Sequence, residues 1–283
     1  MKTRVITAIV AIGILIPILF LSHTVVLPIA ASICALIALF EVAGCVGVRK
    51  KWALSLTTYI FAVAVLVLFT LHIMDIVAIS LFTPIIFAVS YVYILCIFIF
   101  TMFSRGGIKF PQAAELVALS FYVLIGFLSI VLLRNEGEMG KYLYLLIFLG
   151  AWMTDTGAYF VGVFFGKHKL IPEVSPKKTV EGAFGGVLGC ILGYVLFGVI
   201  LAQFFDVTVN YLVLTILAIG ISVISQCGDL IASYVKREQG IKDYGFIFPG
   251  HGGIMDRFDS IIVVAPVLYG VVLLLPSNIQ IFS

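Results

Sequence analysis

The chain has 283 residues, 63% of them hydrophobic and 11% charged, with 17 basic and 14 acidic side chains and a formal net charge of +3. A mean hydropathy of +1.24, with a charged share less than half the roughly one quarter of soluble domains, excludes a water-soluble globular enzyme. It predicts an all-α, polytopic integral membrane protein, and the small net charge gives no ground for a nucleic-acid partner.

A helix that crosses a bilayer needs about 20 apolar residues. Nine such stretches follow one another, at about 5–22, 25–47, 53–72, 76–103, 114–133, 142–165, 180–203, 210–235 and 259–276. The first follows Met1-Lys2-Thr3-Arg4 in the manner of a signal peptide, but no small-x-small cleavage site separates it from the second, so it is expected to be retained. The fourth is long and contains Pro84, a position for a kink or a split. With the N-terminus in the cytoplasm, 15 of the 17 basic residues fall on the inner side and only Arg134 and Lys141 fall outside. That is the asymmetry of the positive-inside rule, and splitting the fourth span would invert every segment before it. The expected site is polar and faces the cytoplasm, in a prokaryote at the inner or plasma membrane. Residues 1–133 are expected to be scaffold helices, with Glu41 an isolated polar residue among them, and residues 134–283 the catalytic region, in a single membrane unit. The five cysteines are scattered singly through apolar segments, which suggests neither a disulfide framework nor a zinc site.

Chemistry-bearing residues gather after position 150. Asp155 and its flanking threonines lie inside the sixth span, where a carboxylate without a partner costs a few kcal/mol, so it is expected to line a polar cavity. The run Gly162-Val163-Phe164-Phe165-Gly166-Lys167 has neither the spacing nor the Ser/Thr of a phosphate loop and is rejected as one. Ser175-Pro176-Lys177-Lys178-Thr179-Val180-Glu181-Gly182 is expected to open the seventh helix, with Ser175 as N-cap and Pro176 in the first helical position. Two lysines beside a positive helix end suit a phosphate; they equally suit anionic lipid headgroups. Gly182, Gly185, Gly186, Gly189 and Gly193 recur at small-xxx-small spacing, a pattern for close helix packing. Asp229, in Ser225-Gln226-Cys227-Gly228-Asp229-Leu230, stands near the cytoplasmic end of the eighth helix, followed by Ser233, Lys236 and Arg237. Asp256 and Asp259, three residues apart, are expected on one face at the start of the ninth helix. Carboxylates from the end of one helix and the start of the next suit magnesium, with enough of them for a second cation. The glycines of Pro249-Gly250-His251-Gly252-Gly253 would let backbone N–H groups approach an anion. Taken singly, these charges have a bland reading as interfacial anchors; that reading does not explain their grouping.

The stretch Ser233-x-x-Lys236-Arg237-x4-Lys242-Asp243-x-Gly245, continued by Pro249-Gly250-His251-Gly252-Gly253-Ile254-Met255-Asp256-Arg257-Phe258-Asp259, resembles the C-terminal signature of the phosphatidate cytidylyltransferases over 27 consecutive positions. Asp155-Thr156-x-Ala158-Tyr159, the Ser175–Gly182 stretch and Ser225-Gln226-x-Gly228-Asp229-Leu230 resemble that family's other segments in the same order. The first half is similar to it only as a multi-span hydrophobic region. The resemblance implies that CTP and phosphatidic acid give CDP-diacylglycerol and pyrophosphate with magnesium. It implies Asp229 and Asp256 as cation ligands, with Asp259 a third ligand or a group that supports them, and these three with Lys242 as the catalytic set. Lys177, Lys178, Lys236, Arg237, Lys242 and Arg257 would share the triphosphate and the lipid phosphate, and the Gly250–Gly253 turn would receive pyrophosphate. Asp155, Ser175, Thr179, Glu181, Gln226, Ser233, His251, Gly252 and Gly253 complete the expected substrate-binding set. The expected partners are CTP, phosphatidic acid and membrane lipid, with no nucleic acid and with homodimerisation left open. Two other readings stay open: a CTP-dependent polyprenol or phytol kinase, which would want a general base for its alcohol, and a cation-coupled secondary transporter, which would want repeated broken helices.

Overall fold

The computed structural model describes residues 2–276 and 279–283. Its helices in chain order are α1 (Lys2–Phe20), α2 (Val26–Cys45), α3 (Trp52–Ile73), α4 (Ile79–Phe103), α5 (Phe110–Arg134), α6 (Gly140–Phe165), α7 (Val180–Phe204), α8 (Tyr211–Glu238), α9 (Met255–Phe258) and α10 (Ile261–Leu274). One antiparallel hairpin, β1 (Lys169–Ile171) and β2 (Ser175–Thr179), lies between α6 and α7. Among the described residues, seven helices, α2 to α8, are long and apolar enough to cross a membrane. The 14 residues of α10 rise about 21 Å, less than the roughly 30 Å hydrocarbon core. Outward positions carry Phe87, Phe103, Phe164, Leu188 and Phe204, side chains that water disfavours and lipid accepts. Helical backbone closes its own hydrogen bonds, the condition for crossing hydrocarbon, and the chain is an integral membrane protein.

Pro84 does not divide the fourth segment: α4 runs continuously through it. The proline sits in the second turn, so its missing N–H removes one early bond of the helix and leaves the remaining turns intact.

Contacts divide the chain into two compact units, one of residues 1–132 and 239–257 and the other of residues 133–238 and 258–283. In the first, Phe61 stacks on Tyr93 with ring centroids 4.1 Å apart. The Tyr93 hydroxyl donates to Ser120 Oγ at 3.0 Å and lies 3.3 Å from Thr58 Oγ1, so these buried polar groups find partners on neighbouring helices where water is absent. Arg49 folds back over the Phe40 ring at 4.7 Å.

In the second unit α6 packs most extensively on α7, both pack on α8, and α10 packs on α8 and α6. Glycine decides how close the first pair comes. A methyl built on Gly157 would meet the Gly189 Cα at 3.1 Å, and one built on Gly189 would meet the Met153 carbonyl at 2.6 Å. The glycine series of α7 is therefore a packing seam, as small-xxx-small spacing predicts. Gly162 and Gly166 serve the same end, because a Cβ at Gly166 would lie 2.8 Å from Thr179 Oγ1.

The entry into α7 corrects the sequence expectation. Ser175 and Pro176 belong to β2, where Ile171 pairs with Ser175 and Lys169 with Thr179. The N-cap is Thr179, extended at φ −126° and ψ 154°, with its Oγ1 accepting the Gly182 N–H at 3.1 Å. A Ser-Pro pair predicts a cap when only local propensity is weighed; here the strand pairing fixes the backbone as far as Thr179, and the helix begins after it. The ninth segment is also interrupted. Asp256 lies in the four-residue α9 while Asp259 follows in the turn before α10, so no continuous helix gives the two a shared face. Asp259 Oδ1 accepts the N–H of Ser260 at 2.8 Å, the kind of local side-chain bond that competes with a helical ladder.

Candidate active site

The second unit supplies a polar face on α8. Ser222, Gln226, Asp229 and Ser233 follow at spacings of four, three and four, so they line one side of the helix. Thr154 Oγ1 of α6 donates to Ser222 Oγ at 3.0 Å. Gln226 Nε2 donates to the Ala183 carbonyl of α7 at 3.2 Å and to Ser222 Oγ at 3.3 Å. Ser233 Oγ donates to Asp229 Oδ1 at 3.4 Å. The other carboxylate oxygen, Oδ2, pairs with Lys178 Nζ of the hairpin at 2.7 Å, both side chains being about one quarter to one third exposed (25% and 30%). The charges of Asp229, Lys236 and Asp155 all act on the Asp259 carboxyl. Lys236 is buried, whereas Asp155, Lys177 and Arg237 are exposed.

The hairpin that delivers Lys178 is closed at its base by Glu181. The Glu181 carboxylate accepts the Lys167 N–H at 3.0 Å and the His168 N–H at 3.2 Å, and lies 2.6 Å from His168 Nδ1. Glu181 thereby holds the chain segment that carries the lysines.

In the first unit, the connection from α8 to α9 is a folded loop with its own polar core. Asp256 Oδ2 accepts the N–H of Tyr244 at 2.8 Å and of Gly253 at 2.9 Å. The Phe248 N–H bonds the Gly252 carbonyl at 2.9 Å and the His251 N–H bonds the Phe248 carbonyl at 2.8 Å. This turn needs left-handed backbone at Gly250 (φ 79°) and Gly252 (φ 84°), where a side chain is strained. Glu41 of α2, 2% exposed, accepts the N–H of Ile254 at 3.0 Å through Oε1 and of Met255 at 2.8 Å through Oε2. Of the turn's backbone donors that the sequence offered to a substrate anion, that of Gly253 is thus held by a carboxylate of the chain itself and that of His251 by the Phe248 carbonyl. Lys242 of this loop and Arg257 of α9 are exposed and His251 is half-buried, with its Nδ1 buried and without a hydrogen-bond partner.

Among the described residues no three His, Cys, Asp or Glu side chains form a metal-holding group. The donor chemistry still suits a hard cation, since Asp229 offers partly exposed carboxylate oxygens and magnesium takes one or two such ligands beside substrate phosphates. Of the site residues, the structure brings Lys178, Asp229 and Ser233 together, and sets Gly253 against Asp256. Glu41, from sequence only an isolated polar residue, is bonded to the α8–α9 loop. Its signal was present, an acid inside an apolar span, but its partners lie more than 200 residues away.

The sequence comparisons agree with this chemistry. A family model described as the cytidylyltransferase family matches residues 2–275. The chain is 38% identical over 278 residues to a phosphatidate cytidylyltransferase of Staphylococcus epidermidis, with 95% of this chain and 97% of that protein covered. It is 35% identical over 268 residues to a protein of the same name from Staphylococcus haemolyticus and 38% identical over 269 residues to one from Staphylococcus aureus, at the same coverage.

Proposed function

The chain belongs to the cytidylyltransferase family, and from that premise we propose that it joins CTP to phosphatidic acid, forming CDP-diacylglycerol and releasing pyrophosphate. An oxygen of the lipid phosphate attacks the α-phosphorus of CTP; the bond from that phosphorus to the bridging oxygen breaks, and pyrophosphate leaves with its electrons. The nucleophile arrives already anionic, so the chain need supply no covalent intermediate, only position and charge neutralisation. The observation that carries the reading is the 2.7 Å pair of Lys178 and Asp229, which sets a phosphate-seeking and a cation-seeking group side by side.

Lys178 and Lys177 of the hairpin, Lys236 and Arg237 of α8, Lys242 of the loop and Arg257 of α9 are the groups assigned to the triphosphate and the lipid phosphate. Asp229 is the principal oxygen donor for a divalent cation, taken as magnesium, with Asp259 beside it in charge; Asp256, whose Oδ2 already accepts two N–H groups, is the third. When bound, the cation neutralises charge on the phosphates. Ser233 orients Asp229, and Glu181 and Thr179 fix the hairpin that presents the lysines. We take α1 and the apolar stretch 259–276, of which α10 is only the helical centre, as two further spans, giving nine crossings with segments 166–179 and 236–258 on the cytoplasmic side; the basic-residue asymmetry supports this.

Purified protein in detergent, given phosphatidic acid and CTP labelled at either the α or the γ phosphate, tests the reaction. Label from the α position is expected in the lipid. Transfer of γ label to a lipid alcohol would make the protein a kinase, and no transfer of either would remove the assignment.

A further inference from the structure

Glu41 lies in the half of the chain read as scaffold, yet its carboxylate is the meeting point of the signature loop. Both oxygens are engaged, Oε1 by the Ile254 N–H and Oε2 by the Met255 N–H. Two signature glycines flank it: a Cβ at Gly245 or at Gly253 would fall on the Glu41 carboxylate itself. Neither glycine has the positive φ of Gly250 and Gly252, so backbone conformation does not require glycine there and space does. Asp256 sits on the same segment, its Oδ2 taking the Gly253 N–H at 2.9 Å. Consecutive N–H groups from 253 to 255 are thus held by two carboxylates, one from α9 and one from α2.

We propose that Glu41 is a positioning residue for the reaction, a carboxylate peg around which the 244–255 backbone wraps so that His251, Asp256 and Arg257 are presented in one fixed arrangement. This rests on the cytidylyltransferase reading only in assigning that loop to substrate; the peg itself is a matter of hydrogen bonds. A carboxylate suits the place because it accepts at both oxygens and donates at neither, while the loop presents two adjacent donors. Burial makes the match consequential, since a buried N–H left without an acceptor carries its full desolvation penalty.

Glu41→Gln keeps size and one acceptor but turns the other oxygen into an amide donor facing a donor. In the purified full-length protein, hydrogen exchange of the Ile254 and Met255 amides and of the loop before them should accelerate at least tenfold, with α3 and α4 unchanged. Turnover at saturating CTP and phosphatidic acid should fall at least tenfold, with kcat and kcat/KM falling together, as expected when transition-state geometry is lost. Glu41→Asp, which retains a two-oxygen acceptor on a shorter stem, should recover part of both. Gly253→Ala, which intrudes on the peg with Glu41 still in place, should reproduce the loosened loop and provides the test if Glu41 variants do not fold. Native exchange at Ile254 and Met255 in Glu41→Gln or in Gly253→Ala would overturn the peg. Loosened exchange with native kcat would overturn its part in catalysis. Failure of the wild-type protein to transfer α label would defeat the cytidylyltransferase reading and leave the exchange result standing.

Discussion

Asp229 keeps one oxygen for Ser233 and the other for Lys178, so a neutral isostere at this position removes charge while nearly preserving shape. Asp229→Asn is expected to lower turnover at least a hundredfold, about 2.7 kcal/mol of transition-state stabilisation, and to change the response to magnesium. Initial rates across a magnesium series, in protein verified as folded by size-exclusion chromatography, are the measurement. Native rates with native magnesium response would leave the pair with Lys178 as an ordinary ion pair. Lys242 differs in being exposed. If it meets phosphate equally in ground and transition states, Lys242→Ala raises the KM for CTP or lipid and changes kcat less; equal losses in kcat and kcat/KM would assign it to the transition state alone. Asp155, whose charge reaches Asp259, should on change to Asn reduce turnover without unfolding the protein. Unchanged turnover would make it a structural polar contact.

Hairpin, helix start and glycine seam form one assembly at the scale of elements. Thr179 ends β2, caps α7 and fits against Gly166. Thr179→Ala gives up the cap, a loss of about 1 kcal/mol, and should lower the thermal unfolding midpoint in detergent. Gly157→Val should lower it further, because the added atoms meet α7 backbone, which cannot rotate away: a Cβ alone would be 3.1 Å from both the Gly185 carbonyl carbon and the Gly189 Cα, and overpacking of this kind costs about 1–3 kcal/mol. A Gly157→Val midpoint equal to wild type would mean that the α6–α7 seam is not tightly packed.

For the whole molecule the decisive quantity is sidedness. The seven long apolar helices establish a membrane protein, and the direction of insertion follows from where the lysines and arginines fall. Single cysteines introduced in 166–179 and 236–258, in a background without the five native cysteines, should react with an impermeant thiol reagent from the cytoplasmic side only. Reaction from the opposite face would invert the orientation proposed for the site.

Sequence alone determined the class, because apolar runs of membrane length leave a chain no other solvent, and it placed each long helix to within a few residues of its observed bounds. It also singled out the charged 233–259 segment, since charges are rare enough in such a chain for their grouping to stand out. Local rules failed where tertiary partners compete with propensity. Ser175 and Pro176 read as a helix start until strand pairing with β1 claims them. Asp256 and Asp259 read as one helical face until the helix breaks between them. Gly253 reads as an anion-approach glycine until Glu41 is found in the space a side chain would fill. Glu41 could be recognised from sequence as an acid out of place, but its partners are 213 and 214 residues away. Periodicity carries information over a few turns of helix; which backbone donors a distant carboxylate will satisfy is decided only when the chain has folded.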